Sequence, residues 1–554
     1  MKYDISQSSV SSGVPQADYV IVGGGSAGAV LASRLSEDPG NRVVLLEAGG
    51  DARSLLVQIP VGFTRLVGHK TFDWKYEQEP DPSIGGRHYL WSAGKLLGGG
   101  SSINGQVFIR GTRSDFERWA AAGATGWGFN DVLPYFLRAE QWHGNATQNR
   151  GAHGPLSVSP MRDYHPLTQT FLASCVELGL PTLDDYNGNG DMEGAFLTQT
   201  SQRNGWRCST EKAYLRPARS RPNLQVITGA EAEKILFENS RAVGAIFRTP
   251  DGAQHRISAG REVIVSSGAI GSPALLMRSG LGFGDDLQAM DIPLVKNIPQ
   301  LGKNLQEHSA VSQHRYVNTS TLNSQVGPLD MFGHAMKFVL QRRGALTASI
   351  VHAMALARTR EGLSEPDIQL HFLPLAYDIN PDTISSAGAR MPKEPAVTIT
   401  ASLAHPKSRG RVFLDAERRP RIIHQLLGDA RDVETLVDAM KLVERLFNTK
   451  AFSGAGSAYR VPSASPASDQ EWADFVRAKT IIGYHAVGTC RMGSDAEAVV
   501  DPRLRVRGVD GLRVVDASIM PEVVSTNTNA TTIMIGEKAA EMIRDDARMA
   551  LATR

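Results

Sequence analysis

Cysteine is scarce. The chain has 554 residues and 3 cysteines, and Cys175, Cys208 and Cys490 lie far apart without metal-ligand spacing. Neither a disulfide framework nor a thiolate metal site can be built from them, which favours a reducing compartment. Net charge is nearly absent too. Lys and Arg number 59 against 57 Asp and Glu, leaving +2, so bulk charge gives no reason to expect nucleic acid or an anionic membrane as partner. Long apolar runs are missing: no stretch approaches the roughly eighteen apolar residues of a membrane span. Residues 1–16, MKYDISQSSVSSGVPQ, lack the apolar centre of a signal peptide and read as a loose tail. A cytoplasmic location is expected, with peripheral membrane contact left open. Asn145-Ala-Thr147 and Asn318-Thr-Ser320 fit the glycosylation pattern, but without a secretion signal both read as chance matches. There is no internal repeat.

Glycine is what the chain has in quantity, 54 in all, and its placement is informative. Tyr19–Val22 is a short apolar run suited to a buried strand. Gly23-Gly24-Gly25-Ser26-Ala27-Gly28 follows and fits G-x-G-x-x-G. Ala29–Leu35 reads as a helix, Arg42–Leu46 as a second buried strand, and Glu47 stands at its end. This is the strand–turn–helix–strand–acid unit that binds dinucleotides. Gly23 permits the turn, Gly25 lets the backbone approach a pyrophosphate, and Gly28 lets helix and strand pack closely. The helix N-terminus offers N–H groups to phosphate, and Glu47 is spaced to accept from a ribose. The unit alone does not separate FAD from NAD.

Asp51–Ser92 is irregular and rich in Gly, Pro and aromatic residues, an excursion long enough to cover a bound cofactor. A second glycine loop follows, Gly94-Lys95-Leu96-Leu97-Gly98-Gly99-Gly100-Ser101-Ser102-Ile103-Asn104-Gly105, suited to close backbone approach to something flat or anionic. Helices are expected at Phe116–Ala121 and Asp131–Arg138, the latter capped by Asn130 or Asp131. Strands are expected at Leu224–Thr228, Ala242–Arg248 and Arg261–Val265. The last runs into a glycine turn and a helix to Arg278 with Pro273 in its first turn. From about Ala310 the texture changes. Ile368–Leu373, Ala396–Ser402 and Arg411–Leu414 are strand-like without intervening helices, which suits an antiparallel sheet in a second domain. Arg431–Phe447 is a strong amphipathic helix, Gly511–Asp516 a strand ending in Asp, and Ile533–Arg544 a closing helix.

Four stretches then share one pattern: Gly23–Glu47, GKLLGGGSSINGQVFIRG (Gly94–Gly111), SSGAIGSPALLMRSGLG (Ser266–Gly282) and HAVGTCRMG…DASIMP…NTNATTIMIGEKAA (His485–Ala540). In order and spacing they resemble the glucose–methanol–choline (GMC) oxidoreductases, a family of FAD enzymes. The runs QIPVGF, SSINGQVFIRG, RCST…YLRPA and LHFLPLA resemble its choline-dehydrogenase-like and sorbose-dehydrogenase-like alcohol dehydrogenases. The resemblance implies an α/β chain: a Rossmann-like FAD domain (1–158, 202–309 and 476–554) and a substrate domain with an antiparallel sheet and flanking helices (159–201 and 310–475). It implies flavin contacts at Gly23, Gly25, Ser26, Ala27, Gly28, Glu47 and Ala48. Gly98, Gly99, Gly100, Ser102, Asn104 and Gly105 would lie beside the isoalloxazine ring, Ala232 at the adenine, Asp516 and Ala517 at the pyrophosphate and ribityl region, and Thr531 at the pyrimidine edge.

His485 and Asn529 match the family's catalytic pair. A neutral imidazole suits removal of a hydroxyl proton at neutral pH while flavin N5 takes the hydride, and Asn529, which cannot titrate, would orient the hydroxyl. His308, in GKNLQEH, and Cys490 read as structural, and no metal is expected. The FAD is expected to be non-covalent. Relatives that bond the flavin to histidine do so in G-G-x-S-S-H-N, and here Ile103 takes the histidine's place. The partners implied are a small alcohol or polyol and an electron acceptor, quinone- or dye-type or oxygen. A homo-oligomer is left open. Dehydrogenase is the leading reading. An oxidase making hydrogen peroxide, a lyase of the hydroxynitrile type with structural FAD, and a partner-binding flavoprotein remain as alternatives, the last two disfavoured by the His485 pair.

Overall fold

Tyr19–Val22 and Val43–Leu46 are apolar without alternation, as a strand covered on both faces must be. The computed structural model, which describes residues 16–188, 193–378 and 391–552, places them inside a seven-stranded sheet. Gln16–Val22 runs parallel to Val43–Glu47 on one side and to the end of Gln254–Val265 on the other. Leu224–Thr228 and Leu512–Val514 extend the parallel part. Gln254–Val265 is longer than the expected Arg261–Val265. Its first half turns back through Arg241–Arg248 and Glu231–Glu238 as an antiparallel meander. The tail expected at 1–16 lies, Gln16 apart, outside the described residues.

The helix Ser26–Leu35 follows the first strand, and the closing helix Asn529–Ala552 lies against it. The approach is close: a Cβ at Gly536 would sit 3.1 Å from Ala27 O. Buried Glu537 ties the elements together, accepting from the Arg34 and Arg138 guanidinium groups and the Tyr214 hydroxyl. Two capping expectations are corrected. The helix Phe129–Ala139 is capped at Gly128, whose N–H donates to the Asp131 carboxylate three residues on. Pro273 stands inside the helix Gly268–Arg278, past the first turn. A proline there has no N–H for the carbonyl of Ala269, and Thr489 Oγ1 donates to that oxygen instead, at 2.6 Å.

A second seven-stranded sheet is antiparallel throughout. Its order runs Ala458–Val461, Ser309–Tyr316, Ala396–Leu403, Ile368–Leu373, Ala353–Ala357 and Gly194–Leu197, with Ile481–Ile482 also on Ser309–Tyr316. One face carries Val311, Val397, Ile399, Ala401, Leu370 and Phe372, buried against the helix Ala430–Phe447. The opposite face carries Ser312, Thr400, Ser402, Gln369 and His371, opposite one another across the ladder. Period two puts apolar residues on one face and polar residues on the other although both are covered. The expected strand Arg411–Leu414 is present but belongs elsewhere. It pairs through Pro420–His424 with Tyr76–Gln78 and Leu90–Trp91, short strands of the Asp51–Ser92 excursion.

Candidate active site

Between the first sheet and the polar face of the second lies a cavity of about 870 Å³. Three helices open onto it by their first residues, Ser26, Gly268 and Asn529. Their positive dipole ends make one pole of the cavity receptive to an anion such as a pyrophosphate. The two glycine loops meet there. Gly98 N–H donates to Gly24 O at 2.7 Å, and a Cβ at Gly99 would fall 2.8 Å from Gly25 Cα. Gly23 has φ +105, and a Cβ at Gly28 would lie 1.9 Å from Gly23 O, so turn and helix can pack only with glycine at both positions. A Cβ at Gly100 or Gly268 would meet nothing within 4 Å; these backbones face open space. Glu47 accepts from Gly24 N–H at 2.8 Å and Gly49 N–H at 2.7 Å. Burial pushes its carboxyl up while those two N–H groups pull it down.

Of the expected site residues, Gly23, Gly25, Ser26, Ala27, Glu47, Ala48, Gly99, Gly100, Asn104, Gly105, Ala232, His485, Asp516, Ala517 and Asn529 line the cavity. Gly28, Gly98, Ser102 and Thr531 do not. Ser102 Oγ donates to Leu97 O and stiffens its loop from behind. Thr531 is buried on the closing helix, and its neighbour Thr532 faces the cavity. Asp516 lines the wall, but its carboxylate accepts from Gly268 N–H, Ser272 Oγ and Ser518 N–H, joining two helix starts. The Gly98–Asn104 loop rests on fully buried Arg207, which donates to the carbonyls of Val57, Ser101 and Asn104. Burial lowers this guanidinium to about 9. The donor set fits the phosphates, ribose and flat ring of FAD.

His485 stands at the other end. Its segment pairs with the one carrying His308, through Gln306 N–H to Val487 O, Val487 N–H to Gln306 O and Gly483 N–H to His308 O. Tyr484, just before it, has φ +62, a left-handed conformation that a bulky residue holds only where its surroundings fix it. Buried Glu307 accepts from the N–H groups of His485 and His308, and burial pushes its carboxyl up to about 8. His308 Nδ1 lies 2.9 Å from His485 Nδ1. Burial first, then the neighbouring imidazoles of His308 and His371, hold His485 well below the ordinary histidine range.

The expected pair is corrected here. The amide against His485 belongs to Asn527, whose Nδ2 is 2.9 Å from His485 Nε2. Asn529 Nδ2 instead donates to Ser26 Oγ at 2.9 Å, at the pole where the helix starts meet. The physical reason is the helix start: Asn529 is the first helical residue, while Asn527 lies in the turn before it. That turn is anchored by Asp115, which accepts from Ser525 N–H and Oγ. Glu307 and His371, also on the wall, are further residues the sequence reading passed over. Glu307 was visible as the acid beside His308 in GKNLQEH, and His371 as the histidine of LHFLPLA.

The chain matches the GMC oxidoreductase family over residues 17–310 and again over 406–536. It is 39% identical to mitochondrial choline dehydrogenase of Mus musculus over 97% of this chain and 91% of that protein. It is 37% identical to an alcohol dehydrogenase [acceptor] of Pseudomonas putida over 95% of each. Its structure superimposes on pyridoxine 4-oxidase from Mesorbium loti with a TM-score of 0.84 at 30% identity, over 95% of this chain and 98% of that one. No described helix is long and apolar enough to cross a membrane, and no described cluster of His, Cys, Asp and Glu can hold a metal ion. The chain belongs to the GMC oxidoreductase family, FAD-dependent oxidoreductases of CH–OH donors.

Proposed function

We propose that this protein is an FAD-dependent dehydrogenase of a primary alcohol or polyol, with His485 as the base and non-covalent cofactor. The observation that carries the reading is the His485–Asn527 pair, set in a cavity whose far pole collects three helix N-termini. Bound FAD supplies the acceptor for hydride from the carbinol carbon. The protein's own residues handle the hydroxyl. Asn527 Nδ2 donates to its oxygen, and His485 Nε2 accepts its proton. For Nε2 to be the acceptor, His485 carries its resting proton on Nδ1 and donates it to His308 Nδ1. His308 then holds its own proton on Nε2, and the two rings keep one tautomer between them. Neutral His485 is available as a base because burial disfavours its cation.

A hydroxyl-bearing, uncharged substrate is supported by the wall facing His485. There the second sheet offers Thr400, Ser402 and His371. Ser312 Oγ and Thr400 Oγ1 lie 2.7 Å apart, and Tyr377 stands beside them. Glu307, the acid next to His485, already accepts from backbone N–H groups, so it is poorly placed to meet a cationic substrate. Residues 1–158, 202–309 and 476–554 would bind cofactor, and 159–201 and 310–475 substrate. The reaction is placed in the cytoplasm. The test is anaerobic titration of the yellow holoprotein with a panel of alcohols and polyols. Bleaching by a polyol supports the reading, and no bleaching by any member overturns it. Admitting air then separates dehydrogenase from oxidase: reoxidation as fast as turnover makes it an oxidase.

A further inference from the structure

The helix Pro328–Gln341 leaves the second sheet's periphery with its apolar side outward. Leu329, Phe332, Met336, Val339 and Leu340 are 87%, 67%, 41%, 60% and 70% exposed. At 100° per residue these five fall on one continuous stripe. The helix touches the protein through another side. His334 Nε2 lies 3.2 Å from Gln325 O, and buried Phe338 meets the Trp206 ring edge-on at 4.9 Å. An amphipathic helix in a soluble protein turns its apolar stripe inward; this one turns it to solvent.

Cations gather at the C-terminal end of the helix and on the side by which it packs. Lys337 and Arg343 share Asp163, and Arg343 Nη2 donates to Arg162 O. Arg342 lies over the Phe338 and Trp206 rings, Lys212 lies over Trp206 from elsewhere, and Arg203 pairs with Trp206 in a two-residue ladder. Set against these six cations are Asp163 and Asp330. The chain as a whole carries only +2, so the concentration is local. The helix also adjoins the active-site rim. It continues through the turn Ala345–Thr347 into Ser349, Ile350 and Val351, which line the cavity.

We propose that this helix is a membrane-surface anchor that lays its apolar stripe into the headgroup region of an anionic bilayer and so sets the active-site rim beside the lipid. Large apolar residues on one face with Lys and Arg near them are what an interfacial helix requires, and juxtaposed cations are drawn to anionic headgroups. A second copy of the chain fits less well. The 14-residue helix is only about 21 Å long, so a stable two-fold interface, at roughly 800 Å² per partner, would have to draw on more surface than this one stripe. Two-fold pairing would also bring the same cations face to face.

The test is flotation of the purified holoprotein with vesicles of phosphatidylcholine alone or mixed with phosphatidylglycerol. The wild type should float with the mixed vesicles and much less with phosphatidylcholine alone. Leu329→Gln/Phe332→Gln/Leu340→Gln should lower partition at least ~10-fold with FAD content, melting temperature and dye-linked turnover unchanged. Lys337→Gln/Arg203→Gln should weaken the preference for phosphatidylglycerol. A wild type that stays at the bottom of the gradient, a triple variant that floats equally well, or equal binding to both vesicle types overturns the proposal. So does a wild-type dimer in sedimentation velocity that the triple variant turns into monomer, since the stripe would then belong to a second copy. Partition does not depend on turnover, so its failure is distinct from failure of the proposed reaction.

Discussion

Asn527 Nδ2 lies 2.9 Å from His485 Nε2, whereas Asn529 Nδ2 lies 2.9 Å from Ser26 Oγ. Two residues of chain thus separate an amide at the proposed base from an amide at the helix start Ser26. His485→Ala should lower kcat/KM for alcohol by roughly 10²–10⁴-fold, the range for losing a general base, with FAD retained. Asn527→Ala should lower it less, because it removes orientation and leaves the base. Asn529→Ala should act mainly on FAD affinity, measured as flavin lost on dialysis. If Asn529→Ala lowers turnover of the fully loaded enzyme more than Asn527→Ala does, these assignments are reversed.

The pH dependence has a definite sign. The groups facing His485 are Glu307 beneath it, His308 at Nδ1 and His371 from the second sheet. Burial and the two imidazoles favour the neutral ring, and a base must be neutral to accept a proton. Lowering the imidazole pKa extends that form to lower pH. The acid limb of kcat/KM should therefore have its midpoint below 6.5, the ordinary histidine value. Steady-state rates from acidic to neutral pH check this, and a midpoint at or above 6.5 counts against His485 as the buried base. His371→Asn, which removes one of the two neighbouring rings, should move the limb upward.

The first sheet and its glycine turn were legible because each step is local. An apolar run, a glycine that alone tolerates φ +105 at Gly23 and an acid at Glu47 occur within a single βαβ unit. The second sheet was legible in kind, from strands without helices, but not in membership. Gly410–Leu414 has the same texture as Ile368–Leu373 yet pairs by way of Pro420–His424 with Tyr76–Gln78, and strand texture does not encode a partner more than three hundred residues away. The miss at Asn529 was of another sort. The sequence reading took Asn529 and passed over Asn527 two residues earlier; the onset of the helix at Asn529 decides which of them faces His485. Thr531 and Thr532 show the same limit, since one residue is about 100° of helix.

Arg207 should be a stability residue whose loss is felt at the cofactor. Its guanidinium is fully buried and donates to Val57 O, Ser101 O and Asn104 O, holding the second glycine loop against the Asp51–Ser92 excursion. Arg207→Met would keep much of the apolar volume while leaving those carbonyls without a donor. The expected cost is about 3 kcal/mol, given ~1–3 kcal/mol for each buried polar group left unsatisfied. Thermal unfolding with and without added FAD checks it. The variant should unfold at lower temperature, and excess FAD should recover part of the difference, because a ligand that binds only the folded form stabilises it. No recovery with FAD would place the role of Arg207 away from the cofactor loop.

Retention of FAD should rest on non-covalent contacts alone. Ile103 occupies the wall at the position where a histidine would be needed to bond the flavin, and it is buried with Ala52, Val57, Leu66 and Leu96. An isoleucine has no atom that can attack a ring carbon. Ser101 Oγ, beside it, donates to Gly98 O at 2.6 Å, and Ser102 Oγ donates to Leu97 O, so both hydroxyls are engaged behind the loop. Asn104 Oδ1 accepts from Gln106 N–H and from Arg207. What remains is the cradle itself: the helix starts at Ser26 and Asn529, the Glu47 carboxylate and the cover of the Asp51–Ser92 excursion. Acid or heat denaturation followed by centrifugation checks the expectation. Yellow colour should move to the supernatant and match free FAD by mass. An Ile103→His variant is the control, because only a nucleophile at that position should leave flavin in the pellet. Wild-type protein heavier by one FAD would mean that a bond forms at another residue of the wall.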